Sequence, residues 1–258
     1  MSPHSLDLSP APGAAPAVRR IRAQARGEVG VLLRNGEQLL VAVVLPALIL
    51  IGLVKAHSPD LGAGRRVDVI TPGILALAVM SSAFTGQAIQ TGFDRRYGVL
   101  RLLGSTPLGR SGLLAAKAVA VAAVLAIQVV VLGLLGAALG WQPDAIGVLP
   151  AIVFVLVGAA AFVALALLLA GTLRAEAVLA VANLVWVLLL AGGSVVVPAR
   201  VMPAGLRHIA PYLPSGALGD GLRTALQHGR LALAPLVVLL AWLGVASALV
   251  GRTFRWTS

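Results

Sequence analysis

Cysteine is absent from the 258 residues, which excludes disulfides and thiolate metal sites. Charge is scarce too: 11% of residues are charged and 59% hydrophobic, where soluble domains average roughly 25% and about 45–50%. Lysine occurs only as Lys55 and Lys117, and neither is followed by Ser or Thr in a glycine-rich loop, so no P-loop is present to cradle ATP. The four histidines (His4, His57, His208, His228) are scattered, and the chain has neither a His-Glu-x-x-His helix nor a Gly-x-Ser-x-Gly elbow. These absences argue against a metal site, hydrolysis, or ATP binding by this chain.

What is present is apolar and segregated. Six stretches lack Asp, Glu, Lys and Arg: Gln38–Val54, Val69–Phe93, Ala118–Pro143, Ala145–Leu173, Ala177–Ala199 and Leu231–Gly251. A hydrocarbon core of roughly 30 Å needs about 20 apolar residues in a helix. Helices are the form in which such runs satisfy their own backbone groups, and a β-barrel would show alternation instead. The predicted fold class is therefore all-α: a polytopic membrane protein with six transmembrane helices, spanning about 38–54, 72–91, 113–139, 148–170, 177–197 and 231–251. Spans three and four read as a hairpin, and Pro72 suits the first turn of span two.

The net charge of +11 has a membrane explanation, and no nucleic-acid partner is expected. Five arginines (Arg19, Arg20, Arg22, Arg26, Arg34) precede the first span, and four (Arg95, Arg96, Arg101, Arg110) lie between the second and third. With Arg174, Arg252 and Arg255 this puts 12 basic residues on one side against 7 on the other, which predicts cytoplasmic N- and C-termini. Residues 1–17, with four prolines, read as a disordered cytoplasmic tail ahead of a membrane domain over 18–258. The start of the chain has no basic n-region and no apolar core of a secretory signal.

Val18 to Glu37 spaces its apolar residues helically between arginines, as an N-terminal interfacial helix does; a basic juxtamembrane linker is the alternative. Between spans five and six, Pro198, Pro203, Pro211 and Pro214 punctuate a long segment that keeps Ile209, Tyr212, Leu213 and Leu218. The charge-free piece His208–Gly219 has re-entrant length, whereas an ordinary surface loop has little use for these side chains. Phe254 and Trp256 suit an interfacial C-terminal tail. The spans carry no ionisable group at mid-depth, only amides: Gln87 and Gln90 on one helical face, Gln128 and Asn183. These face either a translocation path or subunit interface, or one another in interhelical hydrogen bonds.

The most specific segment runs from Thr91 to Lys117. It is basic and amphipathic over Asp94–Gly104, with Tyr97, Leu100 and Leu103 on one face, and it breaks at Ser105-Thr-Pro107. Without a partner protein, such a segment would be an anchor for anionic headgroups. Asp94, Arg95, Arg96, Gly98, Leu100, Thr106, Pro107, Leu108, Arg110 and Lys117 together resemble the corresponding segment of ABC-2 type transporter permeases, daunorubicin and multidrug exporters among them. Asp94 stands where many members have Glu, and Arg101 where many have an acid. The resemblance covers about Val18 to Trp256.

It implies a permease with no enzymatic activity and no cofactor of its own. ATP and Mg would sit on a partner, the ATP-binding cassette subunit, in two copies. A second permease chain, identical or paralogous, would complete the complex in membrane lipid. The loop residues Asp94, Arg95, Arg96, Tyr97, Gly98, Leu100, Thr106, Pro107 and Arg110 would dock that subunit. Aliphatic spans suit a hydrophobic or amphipathic cargo, drug or lipid, carried out of the cytoplasm; a polysaccharide or glycolipid exporter, an ion-coupled secondary transporter and a non-transport scaffold remain open. The excess of arginine over lysine, 18 to 2, suits a bacterial inner (plasma) membrane protein of a GC-rich genome.

Overall fold

Apolar runs of this length close their backbone hydrogen bonds locally, and among the described residues no strand occurs. The computed structural model describes residues 15–34, 36–58, 60–61, 64–99, 102, 106 and 109–253, without the side chains of 31–34, 36–41, 109–111, 113 and 114. Most of the expected tail 1–17, together with Phe254 and Trp256, lies outside these residues. The helices are α1 (Ala17–Arg34), α2 (Gly36–Lys55), α3 (Arg66–Met80), α4 (Gln87–Arg96), α5 (Gly109–Ala138), α6 (Val148–Thr172), α7 (Ala175–Gly192), α8 (Ala204–Ile209), α9 (Pro214–His228) and α10 (Leu233–Thr253). Among the described residues, five stretches are long and apolar enough to cross a membrane: Arg66–Arg96, Ala115–Ala138, Ala145–Thr172, Ala175–Gly192 and Leu233–Thr253. Ala42–Lys55 of α2 is a shorter apolar helix, since the described side chains of α2 begin only at Ala42.

α3 and α4 form one continuous rod through a π-helical segment, Ser81–Gly86, and this rod is the most deeply buried of the five spans. The π segment is tied to two neighbours: Trp186 of α7 donates its indole N–H to Ser81 Oγ at 2.9 Å, and Ser82 Oγ donates to Gln128 Oε1 of α5 at 3.0 Å.

Two interior prolines explain what two glutamine amides do. A proline inside a helix leaves the carbonyl four residues earlier without its donor. Pro46 frees Ala42 O, which accepts from Gln128 Nε2 at 2.8 Å. Pro72 frees Asp68 O, which accepts from Gln227 Nε2 of α9 at 2.6 Å. Pro72 is therefore interior and not in a first turn. The helix starts earlier, at Arg66, because Arg65 clamps Asp68 with two hydrogen bonds of 2.9 and 3.1 Å and closes a turn ahead of the apolar run.

α9 is buried against α3, α6 and α10. It comes that close because glycine lines its contacts: a Cβ on Gly221 would stand 2.4 Å from the Phe154 ring, and one on Gly216 would stand 1.9 Å from Ala210 O. The stretch expected as a single span over 177–197 is helical only through Gly192. Beyond it the chain turns, with Ser194 at φ 49°, and Arg223 of α9 supplies the missing donors, to Val195 O at 3.0 Å and Ser194 O at 2.6 Å. Asp220 balances that buried guanidinium at 2.7 Å.

α5 and α6 follow one another in the chain but splay apart. α5 packs on α1, α2 and α3, whereas α6 packs on α4, α9 and α10. The space left between them is an apolar cleft of about 810 Å³.

Candidate functional site

The arginine-rich end of the bundle gathers a polar cluster from three helices far apart in the chain. α1 is amphipathic and lays Ala25 and Val29 along α5, near Ala120 and Val124. That register turns Gln24 and Glu28, one helical turn apart, inward, and Gln24 Nε2 donates to Glu28 Oε1 at 3.1 Å. From α4, Gln90 Nε2 donates to the other Glu28 oxygen at 3.2 Å, and Gln87 Nε2 reaches Gln90 Oε1 at 3.5 Å. From α5, Lys117 Nζ lies 2.7 Å from Asp94 and 3.7 Å from Glu28. The lysine side chain is 5% exposed, Glu28 10% and Asp94 23%, so the three charges are held largely out of water and compensate one another.

The opposite side of α4 is fastened to the α6–α7 turn. Arg95 is buried and donates to the backbone oxygen of Leu173, a carbonyl just beyond the end of α6, and Arg96 pairs with Glu176 at the start of α7. Tyr97 stacks on Phe93 with centroids 6.1 Å apart, and the Arg96 guanidinium lies 5.9 Å from the Tyr97 ring centre. Gly98 then reverses the chain at φ 73°, a conformation that favours glycine. Tyr97, Val99 and Leu102 remain exposed at this end. Four residues after Asp94 the chain has thus passed from a rigid node to an uncovered apolar surface.

The expected site residues separate into groups. Gln87, Gln90, Asp94, Arg95 and Arg96 belong to this node, with Tyr97 and Gly98 at its edge. Thr106 is half-buried; Leu100, Pro107 and the Arg110 side chain lie outside the described residues. Gln128 is deeply buried and engaged with Ser82 and Ala42, deeper in the bundle. Asn183 lies apart, exposed on α7. Pro198 and Pro214 are buried at the far end of the bundle, and Pro203 and Pro211 are exposed there.

Glu28, Gln24 and Glu176 were not among the expected site residues, although the sequence carried a signal. Glu28 is the one acid in α1, among five arginines, and Glu176 the one acid in the first turn of α7. A lone acid in a basic segment is a partner in search of a buried cation.

Gln87 and Lys117 also line the near end of the α5–α6 cleft, so the node and the cleft share two residues.

The family model for "ABC-2 family transporter protein" matches residues 63–252, from just before α3 to the last turn of α10. A curated relative, "Putative transport permease YvfS" of Bacillus subtilis (strain 168), is 23% identical over 234 residues, covering 86% of this chain and 92% of its own length.

Proposed function

We propose, from the premise that this chain belongs to the ABC-2 transporter family, that it is the permease of an exporter carrying a hydrophobic or amphipathic substrate, drug or lipid, out of a bacterial cell. Family membership makes it a membrane component of an ABC transporter, of the kind that normally works with an ATP-binding subunit. The export direction and the cargo class are our reading.

In this reading α2 is the first of six spans, the arginine-rich end is cytoplasmic with both termini, and the protein resides in the bacterial inner membrane. α1 lies at the cytoplasmic interface with Arg19, Arg22 and Arg26 in water and Ala25 packed inward. The segment 193–232 is re-entrant, dipping into the outer leaflet and returning. This is supported by Arg223 serving the carbonyls of 194 and 195, where lipid would offer no donor.

The observation that carries the functional reading is the fastening of α4. Its end is tied to α1 and α5 through Glu28, Lys117 and Asp94, and to α6 and α7 through Arg95 and Arg96, while Tyr97, Val99 and Leu102 next to it are uncovered. A rigid-body displacement of an ATP-binding subunit seated on that surface would reach four helices through α4. Two such subunits, binding ATP and Mg, would serve two permease chains. A second permease is supported by α7, which exposes Leu184, Val187 and Leu188 together with the Asn183 amide, a group that prefers a protein partner to lipid. Among the described residues the spans carry no basic side chain at mid-depth of the kind a polyanionic cargo would require.

The test is purification of the tagged chain from its native membrane in mild detergent, mass spectrometry of its partners, and an ATPase assay on the eluate. Recovery of an ATP-binding subunit that hydrolyses ATP is expected, and Tyr97→Asp with Leu102→Asp is expected to lose that subunit while the permease stays folded. A chain that elutes alone, and transports along an ion gradient in vesicles without ATP, would replace this reading with an ion-coupled transporter.

A further inference from the structure

The outward face of α1 is a basic surface that the chain itself does not neutralise. α1 has five arginines and one acid, and that acid, Glu28, is turned inward onto Gln90 and Lys117. Arg19, Arg22 and Arg26 are exposed, and among the described residues none of them pairs with a carboxylate. Steps of three and four residues set these side chains within about 60° of one another around the helix and within about 10 Å along it. Gly30 continues the face, and a Cβ added there would meet nothing within 4 Å.

We propose that this face binds the phosphates of anionic phospholipids, with Arg19, Arg22 and Arg26 shared between neighbouring headgroups. Charge selects an anion, and depth selects its source. Glu28 sits beside Lys117, and the next residue, Val29, packs on Ala120 and Val124. All three α5 positions lie within Ala115–Ala138, a stretch apolar enough to cross a membrane. α5 enters the bundle from the arginine-rich end, so Ala120 and Val124 lie deeper than Lys117 by about 5 and 10 Å. Tyr97 lies the other way: it follows Asp94, the partner of Lys117, at the end of a helix that is leaving the bundle. α1 is thus held on the membrane side of the node, and the uncovered Tyr97, Val99 and Leu102 stand on its water side.

At that level the anions are the phosphates of the hydrated headgroup layer. An arginine there lays its stem along apolar surface and carries its guanidinium to a phosphate, which it can grip with two parallel hydrogen bonds. The helix that binds the headgroups is also the one whose Glu28 holds Gln90 of α4 and Lys117 of α5, so lipid charge reaches the node from behind. The site is independent of which cargo is carried, in which direction, and of what drives it.

The test is native mass spectrometry of the purified chain titrated with phosphatidylglycerol or phosphatidylcholine of the same acyl composition. A basic residue near an anionic surface strengthens attraction about fivefold. The unaltered chain should therefore hold phosphatidylglycerol at least about fivefold more tightly than phosphatidylcholine. Arg19→Gln with Arg22→Gln and Arg26→Gln should bind the two lipids within about twofold of each other, whereas Lys at the same positions should keep most of the preference. Arg174→Gln with Arg252→Gln, which removes basic residues from the α6–α7 turn and the end of α10, should keep it in full. A second readout needs no variant: in nanodiscs the unaltered chain should melt higher with phosphatidylglycerol than with phosphatidylcholine, and added salt should narrow the gap. An unaltered chain without preference, or a glutamine variant that retains it, would overturn the site. So would a glutamine variant that keeps the preference and instead loses the ATP-binding subunit from native membrane, since the face would then dock protein.

Discussion

Replacing Lys117 with Met keeps most of the length of the side chain and removes its charge together with the hydrogen bond it donates to Asp94. Asp94, 2.7 Å from the ammonium, and Glu28, 3.7 Å from it, then face each other without a cation. Removing one partner of a buried ion pair costs about 3–5 kcal/mol, and the partial exposure of Asp94 sets the expectation at about 3 kcal/mol. For a chain of this size each kcal/mol moves the melting temperature by about 2–4 °C, so Lys117→Met should melt about 6–12 °C below wild type. Asp94→Asn should cost less, because Lys117 keeps Glu28. Glu28→Gln should cost least, because the amide still accepts from Gln24 or Gln90. Removing all three charges in the triple variant, Lys117→Met with Asp94→Asn and Glu28→Gln, should recover more than half of the loss. The assay is thermal unfolding of the purified chain in detergent, followed by tryptophan emission and by size-exclusion recovery. A Lys117→Met chain that melts within about 2 °C of wild type, or a triple variant no better than the single, would refute a stabilising triad.

Other outcomes follow from the far end of the bundle. Gly216→Ala should prevent recovery of folded protein, because the new methyl meets Ala210 O and backbone cannot yield, while Gly244→Ala, with open space around it, should be recovered as wild type. Arg223→Met should be strongly destabilising in the same melt, since it strands two carbonyls and Asp220 together; adding Asp220→Asn should recover only the part due to the carboxylate. In the re-entrant reading, a cysteine at Ile209 or Leu213 should resist a water-soluble maleimide added outside the cell, whereas one at Arg200 should react; equal labelling of all three would make the segment an aqueous loop.

The helical class and five spans were legible because charge-free runs of bilayer length leave few other structures open. The ends were less legible. Where α3 starts depends on the Arg65–Asp68 clamp, and where α7 stops depends on Arg223, some thirty residues later in the chain. Neither is written into a hydrophobic run. The node at α4 was half legible: Asp94, Arg95 and Arg96 stood out by type and resemblance, but Glu28 and Lys117, at opposite ends of a long sequence separation, meet only once α1 lies against α5. Splaying of α5 from α6 had no sequence signal, since two apolar helices joined by a short link read equally well packed or parted.

The interior prolines bear on how such a chain changes over time. Pro46 is coupled to Gln128 and Pro72 to Gln227, each amide serving the carbonyl its proline leaves bare. A substitution that restores an N–H at either proline gives that carbonyl back its own donor and makes the glutamine redundant or stranded. Losing the glutamine first leaves a carbonyl without a donor. Each couple should therefore be inherited as a unit: among related chains, proline and glutamine are expected to vanish together at 46 and 128, and at 72 and 227, as covarying columns far apart in the alignment.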